Sequence, residues 1–230
     1  MSWFSNFLTS SIGRKLIMSL TGLFLISFLI VHLIGNLQLF YDDGGQAFNI
    51  YAAFMVSNPL IKFVSIGLYF FIVLHTVQGL ILWSKNRSAK GSKYAVSNTK
   101  TTSFASRNMA LLGTFVLAFL FIHMGDFWFK MKFGGSDALN MVTYPGQEAA
   151  VKNLYEKVAY SFSNPLIVAA YLIGLLALAF HLMHGFQSAF QSLGINHKKY
   201  TPLIQKIGLA FSIIIPLAYA IIPIFFFFNR

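Results

Sequence analysis

Five of the six histidines in this 230-residue chain lie inside long apolar stretches: His32, His75, His123, His181 and His184. Neutral imidazole is a good ligand for transition metals, and ionisable residues inside a membrane span are costly and usually functional. The sixth, His197, stands beside Lys198 and Lys199 and reads as a solvated loop residue. The chain has no cysteine. That excludes disulfides, thiolate-held iron–sulfur clusters, covalent c-type haem and cysteine nucleophiles. A small residue stands ten positions before each of four histidines: Gly22 before His32, Ser65 before His75, Gly113 before His123 and Gly174 before His184. Ten residues is about 15 Å along a helix and about 80° around it, broadly one face. Small residues let a flat group or a neighbouring backbone come close, although ordinary membrane-helix packing uses them too. His181 has Tyr171 ten before it and lies three residues from His184, on the same helix face. Depth alone does not separate the two; the small-residue spacing favours His184, with His181 as its alternative.

The elements that must carry these histidines follow from composition. Hydrophobic residues make up 57% of the chain and charged residues 10%, with 26 Phe and only six acids. Soluble domains have about 45–50% and about 25%, so the chain reads as an integral membrane protein. A helix needs about 20 apolar residues to cross a bilayer. Five stretches qualify, at roughly 16–40, 60–83, 109–129, 164–190 and 203–228. Their apolar runs are continuous and do not alternate, which argues against spanning strands. The first is too long for a cleaved signal peptide and no small-residue cleavage site follows it. The expected fold is therefore an all-α membrane protein, one transmembrane domain over 1–230, with four histidine-bearing helices and a fifth without any.

Charge sets the direction. Arg14 and Lys15 precede span one, Lys85, Arg87, Lys90, Lys93, Lys100 and Arg107 follow span two, and Lys198, Lys199 and Lys206 surround the start of span five. All six acids, Asp42, Asp43, Asp126, Asp137, Glu148 and Glu156, fall on the other side. The positive-inside rule makes the basic side cytoplasmic, with the N-terminus in and the C-terminus out. It also explains the net charge of +11 better than nucleic acid does. The basic face either fixes topology only or also holds an acidic partner or anionic lipid. The outer loop at 131–163 is long, contains Gly134, Gly135, Pro145 and Gly146, and is expected to hold a short helix near 147–160.

Depth then groups the histidines. At about 1.5 Å per residue, His32 and His123 lie about 24 and 21 Å from the inner ends of their spans. His75 and His184, on spans running the other way, lie about 12 and 9 Å from the inner ends. This gives two layers roughly 12 Å apart. Two histidines at one depth can hold a six-coordinate haem iron between apolar walls. Zinc would call for four ligands at one depth, and a proton relay for carboxylates along the path; neither is present.

The stretches S-L-T-G-L-F-L-I-S-F-L-I-V-H (19–32), S-R-N-M (106–109) and H-G-F-Q-S-A-F-Q (184–191) resemble the single-chain cytochrome b558 anchor subunit of bacterial succinate dehydrogenases. The dihaem anchor of some fumarate reductases is similar. The resemblance covers nearly the whole chain. It implies two haem b groups, with His75 and His184 on the inner one and His32 and His123 on the outer. It implies the bacterial cytoplasmic membrane, a quinone substrate (menaquinone is the expected type), and a flavoprotein and an iron–sulfur subunit on the cytoplasmic face. No nucleotide motif or cysteine in this chain could hold those partners' cofactors. Haem propionates need cationic or hydrogen-bonding neighbours, for which Arg14, Ser19, Ser106 and Arg107 are candidates. Quinone reduction needs a donor and a nearby acid; Asn36, Gln38, Asp42, Asp43, Asp126 and Trp128 cluster at the outer depth, although the acids could simply face water. The rivals are a dihaem anchor of another quinone-linked oxidoreductase, such as a formate dehydrogenase or nitrate reductase, a transporter without haem, and a structural anchor without cofactor. Transporters often break helices near the midplane. Here Pro59, Pro165 and Pro202 lie at span ends, and only Pro216 and Pro223 interrupt a span.

Overall fold

The structure, a computed structural model, describes residues 3–89, 103–134 and 139–229. Lys90, Lys93 and Lys100 of the basic loop, and Gly135 and Asp137 of the loop after the third span, lie outside the described residues. Five helical stretches are long and apolar enough to cross a membrane: Ser11–Phe40, Pro59–Ser88, Met109–Phe133, Pro165–Ser192 and Thr201–Phe228. The protein is a multi-pass, mostly helical membrane protein. Large apolar side chains stand outward along these helices; Phe63, Phe121 and Leu166 are each more than 70% exposed. Such a surface suits a lipid environment.

The helices are α1 (Trp3–Thr9), α2 (Ser11–Asn36), α3 (Gln46–Ser57), α4 (Pro59–Ala89), α5 (Phe104–Arg107), α6 (Met109–His123), α7 (Phe129–Phe133), α8 (Leu154–Phe162), α9 (Pro165–Ser192) and α10 (Thr201–Phe228). A 3-10 turn, Leu37–Phe40, ends the first span, and a π-helical turn, Met124–Trp128, joins α6 to α7. Helix α4 runs past Trp83 to Ala89 because nothing in that basic segment breaks a helix. Two spans begin with the same five residues, Ser-Asn-Pro-Leu-Ile, at 57–61 and 163–167. In each, the Asn side chain accepts a hydrogen bond from the second residue after it: Asn58 from Leu60 N and Asn164 from Leu166 N, both at 2.9 Å. The proline occupies the first helical position, where its missing N–H costs nothing.

Contacts divide the chain into two compact units. The first comprises Met1–Phe28, Leu68–Val116 and Ala177–Ile214. Its small buried cluster is Ala105, Leu112 and Ala177, flanked by Val116 and Phe180. Ser10 separates α1 from α2 and accepts from Gly13 N at 3.0 Å. A side chain at Gly13 would run into the Phe7 carbonyl.

The second unit comprises Leu29–Gly67, Leu117–Leu176 and Ile215–Arg230. Its core is Leu39, Phe48, Val158, Phe162, Val168, Tyr171, Ile222 and Phe226. At its centre Asn49, 0% exposed, donates to the Tyr144 hydroxyl at 2.7 Å and to Asn153 Oδ1 at 2.9 Å, and accepts from Tyr155 N at 2.9 Å. A buried amide is tolerated only when so fully paired. The segment between the third and fourth spans differs from its sequence reading. Met141–Val142 and Val151–Lys152 pair as a short antiparallel hairpin, and the helix begins only at Leu154. Asn153 sets that start: its side chain accepts from Glu156 N, while its amide donates to Glu156 Oε2, each at 3.1 Å, a reciprocal cap.

Candidate functional site: two histidine pairs

In the first unit, α4 carries His75 and α9 carries His181 and His184. The ring beside His75 is that of His181, with centres 6.3 Å apart. The structure thus brings His75 together with His181 and not with His184. His184 is half-buried and, among the described residues, makes no hydrogen bond or ring contact. The buried Nδ1 of His181 has no hydrogen-bond partner among the described residues. His75 Nδ1 lies 3.0 Å from the hydroxyl of Thr21, which is 2% exposed.

Two glycines seat these rings. A Cβ at Gly22 would stand 3.3 Å from His75 Cε1, and one at Gly113 would stand 3.6 Å from His181 Cε1. Of the other two small residues, Gly174 in the second unit admits Phe119, whose ring a Cβ would meet at 2.6 Å. Ser65 spends its hydroxyl on the Ile61 carbonyl at 2.8 Å. The residues expected near propionates also fall in the first unit. Ser19 is buried and donates to the Lys15 carbonyl at 2.8 Å, while Arg14 Nε donates to the Thr9 carbonyl at 2.9 Å. Ser106 is half-buried, and Arg107 ends α5 exposed.

In the second unit, His32 of α2 and His123 of α6 have ring centres 5.7 Å apart. Aromatic rings enclose them: Phe119, Phe127 and Tyr171 around His123, and Tyr219 at 5.9 Å from His32. The Tyr171 hydroxyl lies 3.4 Å from His123 Nδ1, and Tyr219 donates to the Leu29 carbonyl at 2.7 Å. Asn36 donates to the His32 carbonyl at 2.7 Å.

The polar candidates for a quinone separate by role. Asp43 caps α3, accepting from Gly45 N at 2.9 Å and Ala47 N at 2.8 Å, so its carboxylate already has partners. Asp42 is exposed and Gln38 half-buried. Trp128 packs on Phe133, and Lys132 Nζ lies over its ring. Asp126 stands in the π-helical turn three residues after His123. Its Oδ1 pairs with Lys157 Nζ at 2.6 Å, and its buried Oδ2 has no hydrogen-bond partner among the described residues. Lys157 also donates to buried Ser161 at 2.7 Å. A π-helical turn next to a ligand-type residue is a frequent mark of a functional position.

Two features escaped the sequence reading. Thr21 stands beside Gly22 in the same short stretch and carries no pattern of its own. Tyr171 occupies the tenth position before His181 and packs against His123.

The donor sets fit haem iron. Each pair sets two neutral imidazoles with ring centres 6.3 or 5.7 Å apart, and together they could supply two nitrogen ligands to one iron. The Nδ1–Cε1 edges of His75 and His181 lie against Gly22 and Gly113 respectively. Among the described residues, no three His, Cys, Asp or Glu side chains converge as a cation site would require. Comparison with protein-family models, with curated proteins and with solved structures finds no match in any of the three.

Proposed function

We propose that the chain is the dihaem cytochrome b membrane anchor of a bacterial succinate dehydrogenase, joining a cytoplasmic iron–sulfur subunit and its flavoprotein to membrane quinone. The observation that carries this reading is the pair of imidazole couples. Each couple comes from two different membrane-spanning helices, and their ring centres lie 6.3 and 5.7 Å apart. His75 with His181 would hold one haem b, and His32 with His123 the other. When bound, haem iron supplies one-electron exchange between its ferrous and ferric forms. The chain's own residues supply imidazole nitrogens, an apolar enclosure and, in the second unit, a buried acid–lysine pair close to His123. The resemblance over 19–32, 106–109 and 184–191 supports succinate dehydrogenase in particular. A fumarate reductase would use the same plan in the opposite direction.

The test is purification of the chain with its neighbours in mild detergent, followed by a reduced-minus-oxidised spectrum and a pyridine haemochrome assay. Two b haems per chain, together with a flavoprotein and an iron–sulfur protein, are expected. A preparation without b-type absorption would end this reading. Two haems with soluble partners of another kind would replace succinate dehydrogenase by a different quinone-linked oxidoreductase.

A further inference from the structure

The hydrogen bonds around Thr21 decide which nitrogen of His75 carries its proton. A threonine hydroxyl has one hydrogen to donate and lone pairs to accept with. Inside α2, the Thr21 hydroxyl lies 2.8 Å from the Ile17 carbonyl and 3.1 Å from the Met18 carbonyl. A carbonyl can only accept, so the shorter contact, to Ile17 at 2.8 Å, is a hydrogen bond only with the hydroxyl hydrogen directed there. What remains toward His75 is an oxygen lone pair, 3.0 Å from Nδ1. That contact is satisfied only if His75 Nδ1 carries the hydrogen. In a neutral ring, Nε2 is then the bare nitrogen. Among the described residues Nε2 has no hydrogen-bond partner.

The ring is also fixed in place. Thr21 is 2% exposed, so water does not compete for the hydroxyl. The neighbouring Gly22 lets the Nδ1–Cε1 edge of the ring lie against α2, since a Cβ there would be 3.3 Å from Cε1 and 3.8 Å from Nδ1. His181, across from it, has no such partner on Nδ1. Of the two imidazoles, only His75 is therefore held in one tautomer by a side chain of the protein.

Resting on the haem reading above, we propose that Thr21 is a positioning residue that holds His75 with its hydrogen on Nδ1 and keeps the Nε2 lone pair for the iron of the haem shared with His181. A hydrogen bond from the far nitrogen makes an axial imidazole a stronger donor and favours the ferric state. Losing the acceptor should raise the potential of this haem and leave the other unchanged.

The experiment is a redox titration, followed optically, of the purified complex carrying Thr21→Val or Thr21→Ser. Valine keeps the volume without the hydroxyl; serine keeps the hydroxyl. In Thr21→Val one of the two haems should rise in potential by up to about a tenfold change in its ferric-to-ferrous ratio, which is about 59 mV for one electron. Thr21→Ser should restore it. Loss of one haem in the valine variant but not in the serine variant would equally support a hydroxyl that seats His75. Unchanged potentials for both haems in Thr21→Val would overturn the proposal, as would equal effects of the two substitutions. A wild-type complex without haem would instead overturn the proposed function, and this inference with it.

Discussion

At the scale of single residues, the decisive assignment is which histidine of α9 faces His75. His181 and His184 are three residues apart on one helix face, and a depth difference of about 4.5 Å is smaller than the uncertainty of a span boundary read from apolar runs. Depth therefore could not separate them, and the small-residue spacing pointed to His184, whereas the ring beside His75 is that of His181. Ring contact separates them, because the direction a side chain takes depends on the neighbour it packs against, which spacing does not contain. The consequence is measurable by pyridine haemochrome per mole of chain. His181→Ala should carry about half the wild-type haem, while His184→Ala should keep both. Equal losses in the two variants would remove the assignment. The second pair, His32 and His123, was readable without ambiguity, since each is the only histidine on its span.

At the scale of elements, the five spans were legible because continuous apolar runs of this length have no alternative in water. The segments that connect the spans were not. Asn49 is a polar residue buried by α3, α8 and the hairpin together, and nothing in its local sequence announces that. The helix start at Leu154 depends on the Asn153–Glu156 cap, which composition alone placed several residues too early. The repeated Ser-Asn-Pro-Leu-Ile junction stands in the chain at both places where a shorter helix, α3 or α8, hands over to a span.

The Asp126–Lys157 pair ties the π-helical turn to α8, with both side chains less than one-fifth exposed. Removing one partner of a largely buried pair leaves the other charge uncompensated. Lys157→Met should therefore lower stability by about 3 kcal/mol, read as a fall in thermal midpoint in detergent. Adding Asp126→Asn to it should recover part of the loss. If the double substitution is as unstable as the sum of the singles, the pair is not coupled.

At the scale of the whole molecule, the topology predicted from charge is N-terminus in and C-terminus out. Reporter fusions check it: a fluorescent protein that folds only in the cytoplasm should glow at the N-terminus and stay dark at the C-terminus, and a periplasmic phosphatase should do the reverse. Two glowing ends would require an even number of crossings and a different arrangement of the histidines. The fifth span bears on the same question. Helix α10 brings no imidazole and runs unbroken through Pro216 and Pro223, both buried. Each proline frees a carbonyl one turn earlier. Between them sits Tyr219, whose hydroxyl reaches the Leu29 carbonyl while its ring rests near His32. A version of this protein trimmed to its four histidine-bearing helices would therefore lose a wall of the His32 chamber. Minimal four-helix copies of it should be engineered with that tyrosine's role filled from somewhere else.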